Sequence, residues 1–264
     1  LLQSMKIGTN RGSPEKSEEG PDFSTGEIRY SYTDFKSLDH RIKLHLILNV
    51  FEQENEELVL FLRAEILLRN QPISFPGCLV LSTSKMYILR ITGAEGEDPQ
   101  RWLHKEVAWT TDRLRTFAPL PFKQGVLIEL QLPSRSADEA NLTLICILQD
   151  FQRTSNLLFY LTELSLPTSC EVEFAIPEQC TQAIHSLMAF SKYKREADTV
   201  RILALFSSAS LELDNHKSKL KNGGLVVTTS SLILTVDKVH WLLPDSNETP
   251  MKLTEQGISN LLEV

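Results

Sequence analysis

The chain has 264 residues, 42% of them hydrophobic and 23% charged, with a formal net charge of −7. That balance suits one large or two modest globular cores, and the negative charge, with no stretch interleaving aromatics and dense basic residues, argues against nucleic acid as a ligand. Apolar runs such as 58–62 are soon cut by charges such as Arg63, far short of the roughly 20 residues of a transmembrane segment.

The chain opens on Leu1 with no signal-peptide order, so it reads as a piece of a longer protein. Residues 1–36 are rich in Gly, Ser, Pro, Glu and Lys and lack the apolar density to offset ordering entropy, which predicts a disordered leader. Ser13-Pro14 within it fits a proline-directed phosphorylation pattern of low specificity. Order is expected from Ser37, and the alternation of Ile42, Leu44, Leu46, Leu48 and Val50 predicts a strand with one buried face.

Leu58–Leu68 reads as the next strand, followed by a hairpin with arms at Cys78–Ser82 and Met86–Thr92. Short β segments are then expected at Trp102–Trp109, Leu114–Phe117, Val126–Leu132 and Leu142–Leu148, punctuated by Pro119, Pro121, Gly125 and Pro133. That is the spacing of a small antiparallel barrel or sandwich. The period then changes. Asp150 is a candidate N-cap, and Leu157, Leu158, Leu161 and Leu164 mark an amphipathic helix that Pro167 ends. Laid over the barrel's open end, each well-buried Leu of this helix contributes on the order of 2 kcal/mol.

A second helix is predicted from Pro177 to about Tyr193, its stripe of Cys180, Ile184, Leu187 and Met188 packed against a neighbour. Beyond it the sequence repeats itself. Gly77-Cys78-Leu79-Val80-Leu81-Ser82-Thr83-Ser84 returns 146 residues later as Gly223-Gly224-Leu225-Val226-Val227-Thr228-Thr229-Ser230, each copy leading into a second β-rich run. The expected organisation is a leader (1–36), a first barrel (37–165), a linker with a helix (166–198) and a second copy (199–264) that breaks off before its closing helix.

Seven short strands, a terminal helix and this hairpin resemble a pleckstrin-homology-like (PH-like) domain. Asp39 to Leu44, Leu79 to Ser82, Met86 to Gly93 and Trp102-Leu103 further resemble the C-terminal region of the nischarin-related leucine-rich-repeat scaffolds, one of which binds the kinase liver kinase B. The resemblance implies a mainly β (α+β) fold and a kinase-binding or endolysosomal adaptor. It implies a cytoplasmic site, peripheral to endosomal or lysosomal membranes. The chain has no leucine-rich repeat and no Cys-x-x-Cys zinc ribbon, so functions belonging to those parts do not carry over.

No phosphate-cradling Gly-x-x-x-x-Gly-Lys loop, Gly-x-Ser-x-Gly or His-Glu-x-x-His occurs, and the six histidines are dispersed. No catalytic residue, metal or cofactor is assigned, and the chain reads as a non-enzymatic scaffold. The cysteines, Cys78, Cys146, Cys170 and Cys180, make no disulfide framework, and Cys146 between two isoleucines reads as a small core hydrophobe. In the first unit the segment before the hairpin, 69–76, holds one positive charge, and the preceding turn, 52–57, is acidic. In the second unit the corresponding segment carries Lys217, Lys219 and Lys221, read as a Lys-rich loop and a candidate site for acidic lipid. A protein partner through an exposed face or edge strand is the leading reading, and a peripheral membrane module the alternative.

Overall fold

The computed structural model describes residues 35–68, 71, 74–96, 98–132, 140–189, 200–213, 216–228, 231–235 and 252–257. The predicted leader up to residue 34, with Ser13-Pro14, lies outside the described residues. Phe35, on the leader side of the expected boundary, is 3% exposed and stacks on Tyr160 with ring centroids 5.3 Å apart.

The predicted first strand is instead a helix. Helix α1 (His40–His45) runs into one π-helical turn, Leu46–Val50, closed by the Phe51 N–H donating to the Leu46 carbonyl at 2.8 Å. Ile42, Leu46 and Val50, four apart, are buried, whereas Leu44 and Leu48 are exposed. A helical i, i+4, i+8 series falls entirely on the even positions that a strand alternation also uses. The Asp39 carboxylate breaks the tie. It accepts the Arg41 N–H at 2.8 Å and so satisfies one of the orphan donors that a helix start creates.

Seven antiparallel strands follow: β1 (Leu58–Leu68), β2 (Phe75–Ser82), β3 (Lys85–Ile91), β4 (Leu103–Thr110), β5 (Leu114–Pro119), β6 (Gly125–Leu132) and β7 (Ala140–Ile147). Their order is β4-β3-β2-β1-β7-β6-β5, with β8 (Glu171–Val172) added in parallel at the β5 edge. Strand β1 serves both halves, pairing with β2 over residues 58–66 and with β7 over 65–68. Leu60, Leu62, Leu79, Leu81, Met86 and Ile88 point into one core shared with β5–β7. Their neighbours Phe61, Cys78, Val80, Tyr87 and Leu89 point into a second, built with Ile42, Leu46 and Val50 of the α1 segment. Burial on both faces is why β2 reads as an unbroken apolar run. At Gly125, φ is +156° and an added Cβ falls 2.0 Å from the Cys146 carbonyl oxygen, so β6 closes on β7 there only without a side chain.

Helix α2 (Phe151–Glu163) starts at Asp150, whose Oδ1 accepts the Arg153 N–H at 2.9 Å. Its Leu157, Leu158, Tyr160 and Leu161 belong to the core enclosed by β1–β7, and the Tyr160 hydroxyl donates to the Val59 carbonyl at 2.8 Å. Helix α3 (Glu178–Ala189) buries Cys180 and Met188.

A separate four-stranded antiparallel sheet holds β9 (Val200–Leu213), β10 (His216–Thr228), β11 (Ser231–Thr235) and β12 (Lys252–Gly257) in the order β12-β11-β10-β9. The repeated sequence is a hairpin both times and in one register. Leu81 faces Met86 and Val80 faces Tyr87 in β2–β3, and 146 residues on, Val227 faces Leu232 and Val226 faces Ile233 in β10–β11. Residues 236–251 and those after 257, which the expected second copy includes, lie outside the described residues.

Candidate protein-interaction surface

The α1 segment presents its apolar residues to both sides. Its inward stripe covers the outer face of β1–β4, while Leu44 (54% exposed), Ile47 (49%) and Leu48 (68%) stand outward. Single exposed apolar residues are ordinary on a protein surface, whereas here three fall within five residues of one helical segment. Through the π turn Leu46 and Val50 stay inward, and Ile47 and Leu48 stand outward. His45 pins the segment from beneath. Its Nε2 lies 3.1 Å from the Leu103 carbonyl, which fixes the proton there, and its Nδ1 faces the Asn49 amide at 3.3 Å. Burial holds its pKa below the ordinary value.

Beside the patch lies a cleft of about 350 Å³, lined by Lys36, Lys43, Ile47, Phe51, Glu57 and Leu58 among others. Its far wall is the 52–57 turn, and a buried carboxylate makes that wall rigid. Glu56 is 7% exposed and accepts the Gln53 N–H at 3.0 Å, the Glu52 N–H at 3.2 Å, the Tyr87 hydroxyl at 2.8 to 2.9 Å and the Ser82 hydroxyl at 2.5 Å. Burial, then the bond to Glu56, pushes the Tyr87 phenol well above its usual range. Glu52 is neutralised by Lys85 and by Lys105, at 3.0 Å, and these two ammonium groups hold its carboxyl below the carboxylate range. Two of the four acids of this turn are thus already engaged. Across the cleft, neither Lys36 nor Lys43 has a carboxylate within ion-pair distance among the described residues. The site therefore combines exposed apolar residues, a cleft and two cations outside ion pairs, of which Lys36 lies 6.0 Å from the centre of the Tyr160 ring.

The residues singled out from sequence fall elsewhere. Lys217, Lys219 and Lys221 are not on a loop but in strand β10, their backbones opposite Glu212, Ser210 and Ser208 of β9. The correction has a simple cause. Lysines two apart, separated by Ser218 and Leu220, suit a strand as well as a loop, and β9 is long enough to pair all of them. Burial pushes the Cys78, Cys146 and Cys180 thiols up to about 12 and the Cys170 thiol to about 11, which removes thiolate character at neutral pH. Among the described residues no group of three or more His, Cys, Asp or Glu is placed to hold a metal ion, and no helix is long and apolar enough to cross a membrane. The α1 patch escapes a strand reading of 42–50. Asp39 followed by Ile42, Leu46 and Val50 at four-residue spacing is the signal that finds it.

Against solved structures, the DH/PH domains of p115-RhoGEF (R399E mutant) align over 50% of this chain and 37% of that one, at a TM-score of 0.27 and 8% identity, a likeness too low to argue from. Among curated proteins, the serine/threonine-protein kinase 11-interacting protein of Gallus gallus is 38% identical over 73 residues, and that of Homo sapiens is 33% identical over 73. Each match takes in 28% of this chain and only 7% of the relative's length. Residues 29–116, which contain α1, the π turn and β1–β4, match the family model described as PLEKHM2 PH domain-like. The chain thus carries a PH-like domain and is homologous, over about 73 residues, to part of the serine/threonine-protein kinase 11-interacting protein.

Proposed function

We propose that the chain is a non-catalytic adaptor segment whose PH-like unit docks a protein partner on the outer face of α1. The observation that carries this is the patch of Leu44, Ile47 and Leu48, held on a pinned helix beside a cleft with two cations outside ion pairs, inside the residues that match the PH-like family. The relatives' name supplies the partner class, a serine/threonine kinase, and kinase 11 is the first candidate. The domain plan belongs to the same proposal. A first unit, 37–165, is closed by α2, a linker holds α3, and β9–β12 form an incomplete second copy, a reading supported by the matching hairpin register. Placement in the cytoplasm at endolysosomal surfaces extends this proposal.

The test is binding of purified kinase 11 to the chain by biolayer interferometry, with Leu48→Asp as the perturbation. Leu48 is two-thirds exposed, so the folded state tolerates the change, and a charge at the centre of a docking patch lowers affinity by at least tenfold, about 1.4 kcal/mol. Unchanged affinity removes α1 as the docking face, and no binding by the unaltered chain removes the kinase as its partner.

The second reading is acidic-lipid binding through Lys217, Lys219 and Lys221, supported by their spacing at every second position along β10. Each contributes about 1 kcal/mol at an anionic surface. Co-sedimentation with phosphatidylserine vesicles at low and physiological salt tests it, and binding that survives replacement of all three by Ala refutes it.

A further inference from the structure

The β5 edge of the sheet is covered by the chain itself. After α2 the chain turns at Pro167, where the Cys170 N–H donates to the Pro167 carbonyl at 2.9 Å, and comes back along β5. Only Glu171 and Val172 pair, in parallel, with Thr116 and Phe117, and the Glu173 N–H donates to the Phe117 carbonyl at 2.8 Å. Cys170 and Val172 pack against the barrel core from the groove between β5 and α2. The Phe174 ring lies 5.1 Å from that of Phe159 on α2, yet the two stay 48% and 51% exposed. Cys170, Val172, Phe174 and Ile176 alternate with Glu171, Glu173 and Ala175, the period-two pattern of a strand with one apolar face. Ser169 ties the preceding turn to β5, its hydroxyl accepting from Arg115 at 3.0 Å, but two paired residues, parallel geometry and half-open anchors leave 171–174 a short, partly exposed strand on a six-residue edge.

We infer that the groove between β5 and α2 is a peptide-binding site, and that the segment 170–174 is its resident occupant. The ligand it takes is an extended peptide that adds a strand to β5 and places an apolar side chain, then an aromatic two residues later, where Val172 and Phe174 now sit. A tethered occupant acts at a high effective concentration, so a partner's peptide competes with it and gains whatever the resident loses. This site is separate from the α1 face and stands whether or not that face docks a kinase.

The experiment uses the full chain and a fluorescein-labelled peptide of residues 168–177 as probe. Val172→Asp with Phe174→Asp releases the resident segment, and the released chain binds the probe roughly tenfold or more tighter than the unaltered chain. A further Phe159→Ala change, or Phe174→Ala within the probe, removes that gain. A released chain that keeps its cooperative unfolding transition but binds no more tightly overturns the inference and leaves the segment a guard of the edge only. Hydrogen exchange on the unaltered chain decides the matter independently of how the variant folds. The Glu173 amide exchanges at least 100-fold faster than that of Ile145 if the segment opens locally, and equal protection of the two overturns the inference.

Discussion

Replacing Glu56 tests whether the 52–57 turn is held as described. In Glu56→Ala the Ser82 hydroxyl turns to the Lys85 carbonyl, 3.1 Å away, and the Glu52 N–H keeps the Tyr87 oxygen at 3.2 Å. The Gln53 N–H and the Tyr87 hydroxyl proton lose their acceptor. The buried Tyr87 hydroxyl left without its acceptor costs about 1–3 kcal/mol, and the Gln53 N–H, on an exposed residue that water reaches, adds less, so the loss centres on about 2–3 kcal/mol. Glu56→Gln keeps one acceptor oxygen and costs about 1–2 kcal/mol. Urea unfolding followed by tryptophan fluorescence measures both, since Trp102 lies in the core that Tyr87 shares. A loss under about 1 kcal/mol for Glu56→Ala, with an unchanged m-value, refutes the network and with it the rigid wall of the cleft.

Three further outcomes follow from the same packing. His45 is held neutral, with its pKa depressed by burial. Above the unfolded pKa of about 6.5 neither state carries the proton, and as pH falls through that value only the unfolded chain takes it up. Stability therefore declines from about pH 6.5 downwards and levels off below the folded pKa. Urea midpoints at pH 7 and pH 5 fall further apart for the unaltered chain than for His45→Gln, and equal shifts contradict the buried neutral imidazole. Gly125→Ala drives a Cβ into the Cys146 carbonyl and destabilises by more than about 2 kcal/mol, while Gly93→Ala, with nothing within 4 Å, serves as a near-neutral control in the same thermal melts. Leu161→Ala opens a cavity between α2 and the sheet and costs about 2–5 kcal/mol, read as a lower urea midpoint.

The strands of the barrel were legible because each carries its own local signal. The Leu58–Leu68 run bounded by charges, the Thr83-Ser84 turn and the prolines around β5 each mark an edge without help from tertiary contacts. Asp150 announced α2 in the same way, through an oxygen where a helix needs an acceptor. The 42–50 segment was not legible by alternation alone, since its buried residues satisfy two periods at once and the Asp39 cap had to be weighed as well. The exposed set of Leu44, Ile47 and Leu48 escapes the same strand reading. The cleft beside α1 is harder still, because Lys36, Lys43, Phe51 and Glu57 converge only after the turn folds back onto Tyr87 and Ser82. The lysines of β10 show the converse failure. Their charge pattern was plain, but their placement depended on a partner strand that composition does not reveal.

Docking of a partner kinase on α1 is tested by hydrogen–deuterium exchange of the chain with and without kinase 11. Docking there slows exchange in the peptides spanning 40–51 and the 52–57 turn and leaves 216–221 unchanged. Slowed exchange confined to 216–221, or none anywhere in the chain at saturating kinase, contradicts it.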